Sequence, residues 1–228
     1  MTSERTFSAA LDCRYLLQVP EKVDENTLLV VTLHGYGSNP EVMLRLTSTW
    51  FAGHIIGALQ APSEFFLPPT AIPPRSEIGY CWATYRHSES SVRLHHHMLL
   101  HIMDEVERDF GIGPARRLLM GFSQPVGMNY RFAATHPAAV RGVIGVCGGV
   151  PKNWDDGSYG NVSAALLHIA RREDEIYPPE ATSHYRERLQ MRAADVEFHM
   201  LDGGHRFPSL ARPLVDVWTQ RVFSPANA

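Results

Sequence analysis

The chain has 228 residues, 44% of them hydrophobic and 20% charged, and a formal net charge of -3. That balance fits an ordinary globular protein and leaves no basic footprint for nucleic acid or an anionic membrane. The N-terminus lacks an apolar h-region and no stretch approaches 18 consecutive apolar residues, so neither a signal peptide nor a transmembrane helix is expected. Cys13, Cys81 and Cys147 lie far apart without a C-x-x-C pair, a pattern that suits a reducing, cytoplasmic setting.

In chain order, residues 28–33 (LLVVTL) read as a buried strand ending at the turn His34-Gly35-Tyr36-Gly37-Ser38. A helix is predicted over 40–50 and a short strand over 54–59. Residues 62–74 contain five prolines and the pair Phe65-Phe66, and are expected to form an irregular surface loop. A helix over 91–110 closes on Gly111 and Gly113. A strand over 117–122 and a helix over 124–136, stopped by Pro137, come next. Strands over 140–147 and 164–170, a helix over 180–192, a last strand over 196–201 and a helix over 209–222 complete the pattern. This alternation predicts an α/β protein with a mainly parallel central sheet and helices on both faces, as one domain across 1–228.

The segment Gly121-Phe122-Ser123-Gln124-Pro125 joins a predicted strand to a predicted helix. A turn of that kind lifts a serine Oγ above the carboxyl ends of a parallel sheet and sets it at the positive end of a helix. Gly121 leaves room for the turn. Pro125 stands where G-x-S-x-G has its second glycine, and a proline in the first helical turn leaves no helical bond unmade. Taken alone, Ser123 reads more readily as a helix N-cap beside a tight turn.

The rest of the chain changes that balance. A nucleophilic serine needs a base held by an acid, and in this arrangement the order is Ser, Asp or Glu, then His. Glu173-Asp174-Glu175 follows one predicted strand, and Gly203-Gly204-His205 follows the last. Asp174 is the candidate acid and His205 the candidate base of Ser123. The N–H of Gln124, after the nucleophile, and the N–H of Tyr36, in the glycine-rich turn after the first long strand, are the candidate oxyanion donors.

Four further features compete for attention. Phe65, Phe66 and Trp154 are candidates for a substrate-facing wall and equally for local packing. His95-His96-His97 with His101 has partial metal-ligand spacing but no H-E-x-x-H and no third ligand, so it reads as the polar face of a surface helix and no metal is expected. Cys147 reads as a small core residue.

With L-H-G-Y-G-S, G-F-S-Q-P, E-D-E-I-Y-P and G-G-H in that order, the chain from about Leu28 to Gln220 resembles the carboxylesterase/phospholipase family, which includes acyl-protein thioesterases. The resemblance implies the α/β-hydrolase fold and a Ser123, Asp174, His205 triad. It also implies an oxyanion hole from Tyr36 and Gln124, no cofactor, and a possible homodimer. Trp82 matches a tryptophan that lines the acyl or alcohol pocket in that family. Three positions depart from the family pattern: Ser38 for Asp, Pro125 for Gly, and Ala83-Thr84 for Phe-Asp. The expected activity is hydrolysis of small or medium carboxylic esters through an acyl-enzyme. Alternatives are a thioesterase or lysophospholipase, a dienelactone-hydrolase-like enzyme or peptidase, and a non-catalytic binding protein on a hydrolase scaffold.

Overall fold

Short aliphatic runs form the sheet, and the computed structural model describes them within residues 2–5, 7–68, 77–84, 86 and 88–224. Tyr15–Gln18 (β1) opens the chain, then Leu29–Leu33 (β2), Pro40–Thr47 (α1) and Ile55–Leu59 (β3). Ser63–Phe66 (β4) and Ile78–Cys81 (β5) pair as a separate antiparallel hairpin. Ser88–Phe110 (α2), Arg117–Phe122 (β6), Val126–Thr135 (α3), Gly142–Val146 (β7) and Ala165–Arg171 (β8) follow. The chain ends with Pro179–Thr182 (α4), Tyr185–Gln190 (α5), Val196–Leu201 (β9) and Arg212–Phe223 (α6).

Seven strands make one sheet in the order β1-β3-β2-β6-β7-β8-β9. Only the edge pair β1 and β3 is antiparallel; every other pairing is parallel. Side chains alternate across each strand and feed two cores. Leu29, Val31 and Leu33 join Leu119, Val143 and the inner residues of α2, α3 and α5. Leu28 and Val30 join Leu118, Met120, Ile144 and the inner residues of α1 and α6. Both faces are therefore covered, which is why the central strands are apolar at nearly every position.

Several boundaries differ from expectation. β1 is absent from the sequence reading, because Tyr15–Gln18 is short and half exposed. Residues 62–74 are not wholly irregular: Ser63–Phe66 is a strand held by Ile78–Cys81, while 69–74 lies outside the described residues. The helix expected over 180–192 is two. Its backbone leaves helical geometry at His184 (φ -94, ψ 0), and Tyr185 then turns inward against His168, with ring centroids 5.4 Å apart. The helix expected over 209–222 starts as a 3-10 turn at Ser209–Ala211.

His95 and His96 are buried whereas His97 and His101 are exposed, so only part of the tract is a polar surface face. α2 packs against α3, with His95 Nε2 3.1 Å from Asn129 Oδ1 and His96 edge-on to Phe132. Among the described residues, no group of three or more His, Cys, Asp or Glu is gathered as a metal site would require. No helix there is long and apolar enough to cross a membrane.

Candidate active site

Four loops leave the carboxyl ends of β2, β6, β8 and β9 and meet at one edge of the sheet, the position where parallel α/β sheets bind ligands. Ser123 begins the β6 loop with φ 65, one of two non-glycine residues at positive φ among the described residues; Cys147 is the other. Its N–H donates to Val146 O at 2.8 Å, and its carbonyl accepts from Val126 N at 3.2 Å. The chain is thereby pinned between β7 and the start of α3.

Gly121 is required by close approach, since a Cβ there would lie 2.7 Å from Asn129 Nδ2. Pro125 caps α3 with φ -73 and ψ -11, and its carbonyl accepts from Asn129 N. Glycines on β7 and in its following turn make room for Val126, the first residue of α3. A Cβ on Gly145 would meet Val126 Cγ1 at 2.7 Å, and one on Gly148 would meet Val126 Cβ at 2.3 Å.

His205 reaches Ser123 from the β9 loop, its Nε2 2.9 Å from Oγ. Nδ1 lies 3.0 and 2.9 Å from the two oxygens of Asp174. Since a carboxylate only accepts, Nδ1 carries the proton and Nε2 is free to accept from the serine hydroxyl. Asp174 is buried and its Oδ1 also accepts from the N–H groups of Ile176 (2.9 Å) and Tyr177 (2.8 Å), which fixes the carboxylate in its loop. Of the three neighbouring acids, Glu175 does something different: its Oε2 accepts from the His205 backbone N–H at 3.1 Å. Phe122 and Tyr177 flank the imidazole, at ring distances of 5.3 and 5.8 Å. Neither Glu175 nor these two rings is singled out in sequence reading; adjacency to Ser123 and Asp174 is the one signal that could have found them.

The β2 loop passes close by. A Cβ on Gly35 would come 3.3 Å from Ser123 Cβ. Gly35 O accepts from His34 Nδ1 at 2.8 Å and from Ser38 N at 3.2 Å. A trans peptide directs its N–H opposite its C=O, so the Tyr36 N–H points away from the His34 ring. Among the described residues, neither the Tyr36 nor the Gln124 N–H donates to a backbone acceptor.

The expected pocket residues divide. Phe65 stacks on the Tyr36 ring at 4.8 Å, beside a groove of about 440 Å³ whose lining mixes Tyr36, Val42, Leu67 and Ile78 with Ser38, Asn39 and Glu77. Phe66 is 74% exposed on the other side of the hairpin, as strand alternation requires. Trp82 is 1% exposed, and its Nε1 donates to His34 O at 2.7 Å. Trp154 is fully buried, with the Tyr159 ring tilted against it at 5.5 Å and its Nε1 donating to Arg188 O. Cys147 is buried beside the site, and burial, reinforced by the Asp174 charge, pushes its thiol up to about 12. It stays protonated and is no nucleophile.

The fold is the α/β-hydrolase fold. The chain is similar to the Bacillus cereus carboxylesterase (TM-score 0.74, 14% identity, 92% of this chain and 95% of that one). It is also similar to esterase PE8 (TM-score 0.71, 20% identity, 93% of this chain and 100% of that one). A third likeness is to Arabidopsis thaliana SOBER1 (TM-score 0.70, 18% identity, 87% of this chain and 100% of that one). No family model and no curated protein sequence matches the chain.

Proposed function

We propose that the chain is a single-domain serine hydrolase that cleaves small or medium carboxylic esters through an acyl-enzyme, with Ser123, His205 and Asp174 as its triad. The observation that carries this reading is the unbroken path from Ser123 Oγ through His205 to the buried Asp174 carboxylate, with contacts of 2.9 to 3.0 Å. That two of the similar structures are esterases adds support.

In the first step, Oγ attacks the ester carbonyl carbon while His205 Nε2 takes its proton. Asp174 stabilises the imidazolium. The carbonyl oxygen becomes an oxyanion, received by the N–H groups of Tyr36 and Gln124. Collapse expels the alcohol, which leaves with the proton from Nε2. Water then repeats the sequence on the acyl-enzyme, with His205 as base, and releases the acid. Each oxyanion donor is worth about 3–4 kcal/mol in reactions of this type. The three cysteines are free, which fits a reducing, cytoplasmic setting.

Labelling with a fluorophosphonate, followed by mass spectrometry of the modified peptide, tests the reading. The expected result is one label per chain at Ser123, absent in Ser123→Ala, with turnover of ester substrates lost in the same variant. Folded protein that takes no label and turns over neither esters nor thioesters would instead favour a binding protein on this scaffold.

A further inference from the structure

We propose that His34 and Trp82 are positioning residues that hold the two oxyanion donors in one hydrogen-bonded frame; this rests on the hydrolase reading above and assigns the parts that make its oxyanion hole rigid. The need for such parts is physical. Oxyanion donors accelerate a reaction only if they already point at the place where charge develops. The β2 loop carries Gly35 and Gly37 around Tyr36, and glycines let a peptide rotate at low cost. A half-turn of the Gly35–Tyr36 peptide would aim a carbonyl at the oxyanion in place of an N–H.

The frame that opposes this rotation can be followed atom by atom. The His34 ring holds the Gly35 carbonyl with Nδ1–H at 2.8 Å. Its Nε2 accepts from Ala61 N–H at 3.1 Å, so both ring nitrogens are used and the tautomer is set. The ring is buried, and burial lowers its pKa, so it stays in the neutral form that can make both bonds. The backbone carbonyl of the same residue accepts from the Trp82 indole N–H at 2.7 Å. Trp82 then reaches the second donor: its backbone N–H donates to Gln124 Oε1 at 2.9 Å. Gln124 Nε2 returns to Ala83 O at 2.8 Å. The side chain of Gln124 is thus tied at both ends to the strand exit that carries Trp82. Behind the indole, His95 packs edge-on at 5.6 Å. Tyr36 and Gln124, which sit on different loops, are therefore joined through one buried tryptophan.

This explains a feature that a pocket role for Trp82 leaves unexplained. A tryptophan that only lined a pocket would present its face to substrate, whereas this one is enclosed and directs its N–H at a backbone carbonyl.

Trp82→Phe keeps most of the ring and removes the N–H. Loss of a whole oxyanion donor costs about 100- to 1,000-fold in kcat, and loosening both without removing either is expected to cost about 10- to 100-fold. KM should move by less than about threefold, because the substrate carbonyl gains the hole's full benefit only in the transition state. His34→Leu is expected to show the same split. His34→Asn, whose amide restores a donor near the Nδ1 position, should recover most of kcat. Gln124→Leu, at a half-exposed position, cuts the other tie and serves if Trp82→Phe does not fold. The rate of fluorophosphonate labelling should fall in parallel with kcat.

A purely structural role would lower the melting temperature and leave kcat of the folded fraction within about twofold of the parent, and that result overturns the proposal. So does a loss confined to KM, or a His34→Asn variant no better than His34→Leu. The unmodified chain is assayed alongside: if it neither labels nor turns over ester, the hydrolase reading itself has failed and this proposal falls with it, an outcome distinct from an active parent whose variants are unaffected.

Discussion

At Ser123 the backbone occupies φ 65, a region that costs a non-glycine residue of order 1–3 kcal/mol. The ties from Val146 O and to Val126 N hold it there, and the gain is a hydroxyl raised toward His205. Pro125 belongs to the same economy. Its φ of -73 is the value a proline ring imposes anyway, and the N–H it lacks would have no helical acceptor at this position. Gly145 and Gly148 leave room for the next residue, Val126. Pro125→Gly should therefore leave kcat/KM within about threefold while lowering stability by about 0.4–1 kcal/mol, through the larger entropy of the unfolded chain. Ester turnover and urea unfolding on the same preparation check both halves. A large gain in turnover would mean that the ring distorts the turn, contrary to the geometry.

Elements differ in how openly the sequence declares them. β2, β6, β7 and β8 are buried on both faces, so they appear as continuous aliphatic runs, and their ends place Ser123, Asp174 and His34 within a few residues. β1, β4 and β5 are four residues each and partly exposed, so period and composition do not separate them from loop. The histidine tract misleads for another reason: local polarity suggests a solvent face, but α2 turns His95 and His96 toward α3. Trp154 is ambiguous in sequence because a loop tryptophan can serve either a pocket or a core. Here it closes the contact between its own loop and α5, with Tyr130 at 6.2 Å and Arg188 O receiving its N–H. Trp154→Ala should cost about 3–5 kcal/mol of unfolding free energy while leaving any KM for the proposed ester substrates within about twofold in the folded protein. A several-fold rise in KM without loss of stability would return Trp154 to the substrate wall.

Over the whole molecule, four of the twelve histidines are buried among the described residues: His34, His95, His96 and His168. His95 lies between Trp82, His96 and Asn129; burial pushes its pKa down to about 3, and His96 adds to the fall. His168 lies among Tyr130, Tyr185 and Phe198, and burial pushes it down to about 3 as well. Both start from an ordinary value of 6.5. Below that value the unfolded chain binds protons that the native state refuses, so stability rises with pH and is lost as pH falls from 6.5 toward 3. Each of the two contributes a slope approaching about 1.4 kcal/mol per pH unit over that window. His96, pushed down to about 4 by burial first and by His136 second, acts in the same direction. Urea unfolding at pH 7, 6 and 5 should therefore show a falling midpoint before most surface carboxylates protonate. In His168→Gln the decline should be shallower by about one histidine's share, because one buried imidazole no longer resists protonation. A midpoint constant between pH 7 and 5 would mean that these rings are already charged or solvated in the native state, and the packing of α2 on α3 and of β8 on α5 would need revision.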